Sequence, residues 1–326
     1  MSLIVSHLHK TYGSNVVVED LSFTMDGPGV YALLGTNGAG KTTSIRMMLG
    51  MLAKDGGEVL WNGAPLTTES CNIGYLAEER GLYPKYELMD QLLYFASLRG
   101  VSKEDAKARI RSLAKRLDVE EYLYPNAFKP SSDMLGQQKR PLRLGGPRKE
   151  KPRLAEQLSK GNQQKIQFMT ALLSDPELIV LDEPLSGLDP VNTDLIRDEI
   201  AKGKYLIMSS HQMATVEEFC TDITILNRSH TVLQGNLNEI KKSYGRVHLH
   251  LKCEADASLY IAQAGIEILS EKENEYELKV SGESQAASLL SSLISAGIPV
   301  ITYDLREPSL HEIFVEKVGE EHIHEA

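Results

Sequence analysis

The chain opens with short alternations of apolar and polar residues and moves, from residue 29 onward, to continuous apolar runs punctuated by glycine. Residues 3–9 and 16–24 alternate with period two, which predicts two strands around a turn at Tyr12, Gly13, Ser14 and Asn15. The run Gly29–Leu34 reads as a buried strand, Gly35–Gly40 as a loop, and Lys41–Met51 as a helix. Asn62-Gly63 predicts a hairpin, because that dipeptide accepts the positive φ of a tight turn. Residues 88–118 are mainly helical in pattern, with Ser102 and Asp105 placed as a capping pair. A further helix starts near Leu158, and Pro176 breaks it before the apolar strand 178–182. Helix 191–201, strand 204–209, helix 213–220 and strand 223–226 follow, with His211 just past the first of these strands.

After about residue 245 the pattern restarts. Strands are predicted at Val247–Cys253, Ile266–Ser270, Glu275–Val280 and Val300–Tyr303, and helices at 255–264, 284–296 and 309–318. That order, β-α-β-β-α-β plus a final helix, fits a small ferredoxin-like α+β domain. Its titratable residues form no cluster that demands catalysis, so packing or stabilising a dimer is its plain role. Between Pro125 and Arg153 the composition shifts. Pro125, Pro130, Pro141, Pro147 and Pro152 alternate with Lys129, Lys139, Arg140, Arg143, Arg148, Lys149, Lys151 and Arg153. Such a stretch sustains neither helix nor buried sheet and is expected to be a surface loop, although its charge also suits an anionic docking partner such as lipid headgroups.

Composition narrows the function classes. Apolar residues at 42% and charged residues at 25% fit a folded protein with a real core. A net charge of -10 argues against nucleic acid as a whole-surface partner, and no specific nucleic acid is expected. Cys71, Cys220 and Cys253 are far apart and read as packed thiols in a reducing compartment. No apolar run approaches the twenty residues of a membrane span, and the first residues lack an export-signal pattern. A cytoplasmic location is the expectation, with any membrane role exercised through a partner.

Two segments carry the chemistry. Gly35-Thr36-Asn37-Gly38-Ala39-Gly40-Lys41-Thr42, followed by Thr43, sits between a predicted strand and a predicted helix. Its glycines let backbone amides approach phosphates, and the helix start adds unsatisfied amides and its positive dipole end. Lys41 is suited to neutralise β- and γ-phosphate charge and the Thr42 hydroxyl to coordinate Mg²⁺. The apolar strand Leu178–Leu181 then presents Asp182 and Glu183 at its carboxyl end, where open α/β sheets place ligands. Asp182 is suited to orient Mg²⁺, and Glu183 to polarise the water that attacks the γ-phosphate. An Asp-Glu pair alone would be weak; beside the glycine loop it points to a nucleoside triphosphatase.

With these motifs the chain resembles the nucleotide-binding subunits of ABC transporters, of the ABC-2, sodium- or multidrug-exporter type. Their signature is matched by Leu158-Ser159-Lys160-Gly161-Asn162-Gln163-Gln164, with Lys160 in place of the first glycine of the usual pair and Asn162 in place of the glutamine after it. The resemblance implies an α/β fold, a P-loop NTPase cassette with a RecA-like core, an antiparallel β subdomain and a helical subdomain, here with the small C-terminal domain appended. It implies ATP and Mg²⁺ as ligands, and a transmembrane permease and a second copy of this or a homologous ATP-binding subunit as partners. Tyr12 corresponds to the adenine-stacking aromatic. Ser159, Lys160, Gly161 and Asn162 correspond to the segment that meets ATP held by the opposite subunit. Ser186-Gly187-Leu188-Asp189 resembles the loop joining the two sites, and His211 the switch histidine at the γ-phosphate. Glu78 stands where the family generally has a glutamine linking Mg²⁺ and γ-phosphate to the coupling surface, and the segment through Leu98 is expected to face the permease.

The expected division is a cassette at 1–240, with a helical subdomain at about 86–175 and the atypical loop 125–153, followed by an accessory domain at 241–326. The long basic loop and a short span from Asp189 to His211 depart from the family. ATP-driven dimerisation powering a membrane transporter, and an exporter in particular, is the function implied. A cassette ATPase acting on a ribosome, nucleic acid or protein assembly is the alternative.

Overall fold

The computed structural model describes residues 1–78, 81–125, 153–184 and 190–324. Packing divides the chain into two units, residues 1–211 with 228–230, and residues 212–227 with 231–326. The expected loop across 126–152, Glu79, Arg80 and the segment Ser186–Asp189 lie outside the described residues.

In the first unit, β1 (Leu3–Tyr12) and β2 (Asn15–Met25) pair antiparallel, as their alternation predicts. β3 (Gly29–Gly35) runs through the glycine loop into α1 (Lys41–Met48), which ends earlier than the expected Met51. β4 (Gly56–Trp61) pairs with β1 and turns back at Asn62-Gly63 into the short β5 (Ala64–Pro65). After β6 (Ile73–Leu76), the stretch 88–118 separates into α2 (Leu88–Leu98) and α3 (Lys103–Arg116). The break comes at Gly100, whose φ of +71° suits a glycine at a helix end. Ser102 then caps α3 by accepting the Asp105 amide, as the sequence predicts. The brief α4 (Glu120–Leu123), α5 (Lys160–Leu172), β7 (Leu178–Asp182), α6 (Pro190–Ala201) and β8 (Tyr205–Ser210) complete the unit.

Strands β3, β8, β7 and β6 lie side by side in that order, all parallel. β7 and β8 are buried along their whole length, the behaviour of a sheet covered on both faces. The antiparallel layer locks to this sheet through aromatics: Phe23 stacks on Tyr31 at 4.0 Å, and Trp61 meets Tyr205 edge-on at 4.9 Å. α5 lies against β6 so closely that a Cβ on Gly74 would fall 2.2 Å from the Ala171 carbonyl oxygen. Only glycine fits there.

The second unit begins with α7 (Met213–Phe219), β9 (Asp222–Asn227), β10 (His230–Asn236) and α8 (Leu237–Tyr244). The sequence pattern had not marked β10 or α8. Then come β11 (His248–Cys253), α9 (Ser258–Gln263), β12 (Glu267–Lys272), β13 (Glu275–Lys279), α10 (Glu283–Ser295), β14 (Val300–Arg306) and α11 (Leu310–His324). The sheet order is β12-β13-β11-β14 with every pair antiparallel, the ferredoxin-like arrangement expected from the element order. Leu249, Leu251, Tyr276 and Leu278 turn inward and pack with Ile261, Leu289 and Leu293 of the helices. Strand period two sends His250, Lys252, Glu275 and Glu277 to the other face, where His250 and Lys252 both pair with Glu275 at 3.0 and 2.9 Å.

α11 is anchored by a capping box, in which Glu312 accepts the Ser309 amide at 2.6 Å while the Ser309 hydroxyl accepts the Glu312 amide at 3.3 Å. Glu312 also takes both Arg306 nitrogens, at 2.8 and 3.0 Å. Glu217 of α7 accepts the Leu310 amide at 3.1 Å and pairs with Lys241. Among the described residues, no helix is long and apolar enough to cross a membrane.

Burial works to raise the Glu312 carboxyl, but the Arg306 guanidinium, the Ser309 donors and His248 outweigh it and hold the group at about 2 against an ordinary 4.5. A depressed carboxylate stabilises the fold above its ordinary value, and this contribution disappears as pH falls towards about 2. Glu312→Gln is expected to destabilise the second unit by about 1–2 kcal/mol near neutral pH, since a charged hydrogen-bond acceptor is lost. Calorimetric unfolding should show the two proteins converging as pH drops through that window.

Candidate functional site

The parallel sheet brings three strand ends level. Leu33 of β3 and Asp182 of β7 both register with Ser209 of β8. Chain continuity then sets Gly35 and the glycine loop, Glu183, and His211 past these ends. The loop backbone turns through positive φ at Gly38 (+82°) and Gly40 (+103°). At Gly40 a Cβ would also meet the Val17 carbonyl oxygen at 2.5 Å. Loop and β2 are therefore held in a contact that excludes any side chain at this position. The Ala39 amide closes the turn on the Thr36 carbonyl at 3.2 Å.

Val17, Asn37, Gly38, Gly40, Lys41, Thr42, Thr43, Glu78 and Glu183 line a cleft of about 280 Å³. Lys41 donates to the Gly35 and Thr36 carbonyls at 3.0 and 3.2 Å and pairs with Glu183 at 3.2 Å, its side chain 6% exposed and that of Glu183 7%. Glu183 pairs through its other oxygen with His211 Nδ1 at 2.7 Å. Because an ionised carboxylate only accepts, Nδ1 carries the proton in this bond and Nε2 stays available. The Thr42 hydroxyl donates to Asp182 Oδ1 at 3.1 Å, and the Ser209 hydroxyl donates to the same oxygen at 2.6 Å. Ser209 Oγ in turn accepts the Glu183 amide at 2.9 Å.

The electrostatics favour a cationic guest. Glu78 and Glu183 set two carboxylates beside the Lys41 ammonium along this cleft. Burial, followed by the Asp182 charge, pushes the neighbouring Tyr75 phenol up. Asp182 is 1% exposed, and its Oδ2 has no hydrogen-bond partner among the described residues. A buried oxygen left unpaired is costly unless something bonds it. One hydroxyl and one aspartate, with the remaining positions left to water and phosphate, is the donor set that Mg²⁺ takes in nucleotide sites. Among the described residues, no three His, Cys, Asp or Glu side chains make a metal cage by themselves. The site thus suits a metal that shares its ligands with phosphates.

The remaining residues expected from the sequence lie apart from this cleft. Tyr12 is half exposed at the end of β1, with the Lys10 ammonium 5.3 Å from its ring centre, and does not line the cleft. Ser159 caps α5 by accepting the Asn162 amide at 3.3 Å, and Asn162 donates to the Tyr122 hydroxyl at 2.9 Å. Lys160 lines a second, smaller cleft of about 160 Å³ together with Glu78, Asp182 and Glu183. A Cβ on Gly161 would meet open space. Two residues of the site escaped sequence reasoning. Ser209, two residues before His211, opens the Ser209-Ser210 pair that ends an apolar strand, and that break in pattern was the signal. Val17 carried none, being one apolar residue among several in β2.

Residues 18–186 match the profile of the ABC transporter family, and residues 235–318 match that of the C-terminal domain of DrrA1-3-like ATP-binding proteins. The uncharacterised ABC transporter ATP-binding protein YhaQ of Bacillus subtilis strain 168 is 37% identical over 322 residues, spanning 97% of this chain and 98% of that protein. The Nod factor export ATP-binding protein I of Mesorhizobium japonicum is 28% identical over 329 residues, 96% of this chain and 85% of that protein. A solved structure of an ATP binding subunit of an ABC transporter superposes with a TM-score of 0.60 at 26% identity, covering 75% of this chain and 93% of the other. Phosphate loop, acidic strand end and sequence matches converge on one assignment: the chain belongs to the ABC transporter family, as an ATP-binding and ATP-hydrolysing subunit.

Proposed function

We propose that two copies of this subunit, or one copy and a homologue, close on two ATP molecules and thereby drive a membrane permease, in the export direction. The observation that carries this reading is the linked pair of contacts Lys41–Glu183–His211 and Thr42–Asp182–Ser209 at the ends of adjacent parallel strands. Export rests on the similarity to a Nod factor export ATP-binding protein, which spans 96% of this chain and 85% of that protein. The division at 240/241 and a peripheral position on the cytoplasmic membrane face belong to the same reading.

Each residue then has a physical task. Amides of Gly38–Thr43 and the start of α1 hold the phosphates. Lys41 shares its charge between Glu183 and the phosphates, so that phosphate entry releases Glu183 Oε1 towards water. Glu183 polarises that water, while His211 holds the carboxylate by Nδ1 and offers Nε2 to the γ-phosphate. Thr42 and Asp182 are the residues that would hold Mg²⁺, whose charge offsets the negative charge spread over the transferring phosphoryl group. Tyr12 supplies a stacking face for adenine, and Ser159, Lys160, Gly161 and Asn162 complete the site of the opposite subunit, with Ser159 and the Gly161 amide at its γ-phosphate.

Purification with a permease, followed by ATP-dependent flux in vesicles, tests the transport assignment; recovery on ribosomes instead would overturn it. Glu183→Gln is expected to lower phosphate release by at least about 100-fold while keeping ATP affinity, the usual scale for losing a positioned general base. Light scattering should then find an ATP-bound dimer, and normal turnover with monomers alone would remove Glu183 from this role. Glu78→Gln should retain hydrolysis but raise the Mg²⁺ concentration for half-maximal rate about fivefold, as expected when roughly 1 kcal/mol of charge attraction is lost. An unchanged Mg²⁺ profile would show that Glu78 takes no part in metal binding.

A further inference from the structure

Glu183 has a backbone φ of +50°, a left-handed conformation, and it directly precedes Pro184. A residue before proline is restricted to extended backbone, so this position is strained twice over. Strain of this kind persists only where surrounding bonds fix it. Two bonds flank the strained residue. On its amino side the Glu183 amide donates to Ser209 Oγ at 2.9 Å. On its carboxyl side the Pro184 carbonyl accepts Gln164 Nε2 at 2.9 Å.

The second bond comes from outside the sheet. Gln164 belongs to α5, whose first turn is the segment Lys160–Asn162 behind the Ser159 cap. Its neighbour Gln163 ties the same turn back to the Ala155 and Leu158 carbonyls at 2.9 and 3.1 Å. Gln164 lines the small cleft beside Asp182 and Glu183, but it does not line the larger cleft formed by the glycine loop.

We propose that Gln164 is a positioning residue for Glu183, fixing the Glu183–Pro184 backbone and tying it to the start of α5 in the same subunit. This rests on the role of Glu183 argued above and adds the residue that holds it in place. The consequence is coupling between sites. Ser159 and Gly161 engage ATP bound by the opposite subunit, so any shift they impose on α5 reaches Glu183 of their own subunit through one amide.

Steady-state ATPase assays on the full chain test this with Gln164→Met, which keeps length and loses the donor. The expected kcat falls roughly tenfold, the scale of misplacing a reacting group. KM and equilibrium affinity for ATP should stay within about twofold, because the phosphate loop is untouched. In a Glu183→Gln background, Gln164→Met should add no further loss, as residues acting as a unit do not add. Gln164→Glu, which keeps shape but presents only acceptors to the Pro184 carbonyl, should reproduce the fall in kcat should Gln164→Met fold poorly. Unchanged kcat in both variants, or a full additional loss on top of Glu183→Gln, overturns the proposal. Normal turnover of Glu183→Gln alone would overturn the role of Glu183 itself, and that single variant tells the two failures apart.

Discussion

Everything in the first unit depends on the register that puts Asp182, Ser209 and Leu33 at one level across three parallel strands. Side chains alternate along a strand, so a slip of one residue would turn Asp182 away from Thr42 and bring Leu181 to its place. The apolar runs Leu178–Leu181 and Tyr205–Met208 specify that register through burial on both faces. Their polar ends can then be held where isolated charges would be expensive. Lys41 and Glu183 are almost wholly buried, and removing each from water costs about several kcal/mol. The Gly35 and Thr36 carbonyls, Ser209 and His211 offset that cost with short, directed contacts.

The two units treat carboxylates differently. On the outer face of the second sheet, Glu275 answers His250 and Lys252, while Glu312 answers Arg306 and the cap of α11. Such matched charges stabilise a fold and leave little for a ligand to gain. At the strand ends of the first unit, Glu78, Asp182 and Glu183 outnumber Lys41 and Lys160, and one buried Asp182 oxygen has no partner among the described residues. That imbalance is unfavourable for the protein alone, and a cation brought in with phosphate would offset it. The same accounting assigns chemistry to the first unit and a structural role to the Glu312 network.

Local motifs were legible in the sequence because local chemistry makes them. The Gly35–Thr42 loop is short, sits between strand and helix, and needs glycine at Gly38 and Gly40 for reasons of backbone angle and contact. Asp182 and Glu183 follow a short apolar run, bounded by Pro176 and Pro184, of the kind a buried strand makes. The β-α-β-β-α-β order of the tail was equally plain, since each amphipathic segment is bounded by turn formers. Ser209 was not legible as a site residue, because its role comes from registering with Asp182 across a sheet whose strand order the sequence does not state. β10 and α8 were missed for other reasons: β10 is only partly buried, and α8, though amphipathic, spans barely two turns. The left-handed backbone of Glu183 lies beyond sequence reasoning altogether, since glutamate before proline is normally extended.

The departures from the family pattern are also better understood in space than along the chain. Glu78 adds a negative charge where a neutral glutamine is usual, and Lys160 adds a positive charge where a glycine is usual. Separated by more than eighty positions in sequence, they line the same small cleft beside Asp182 and Glu183. The two changes leave the charge of that cleft what the usual pair would give. A cleft already rich in acid would have been made less favourable for phosphate by Glu78 alone, by an amount that its exposed position and salt reduce. Lys160 offsets this at the start of the helix that Gln164 ties to Glu183. Neither substitution is therefore evidence of a decayed site. Together they are a neutral exchange of charge between two elements that meet at the acidic strand end.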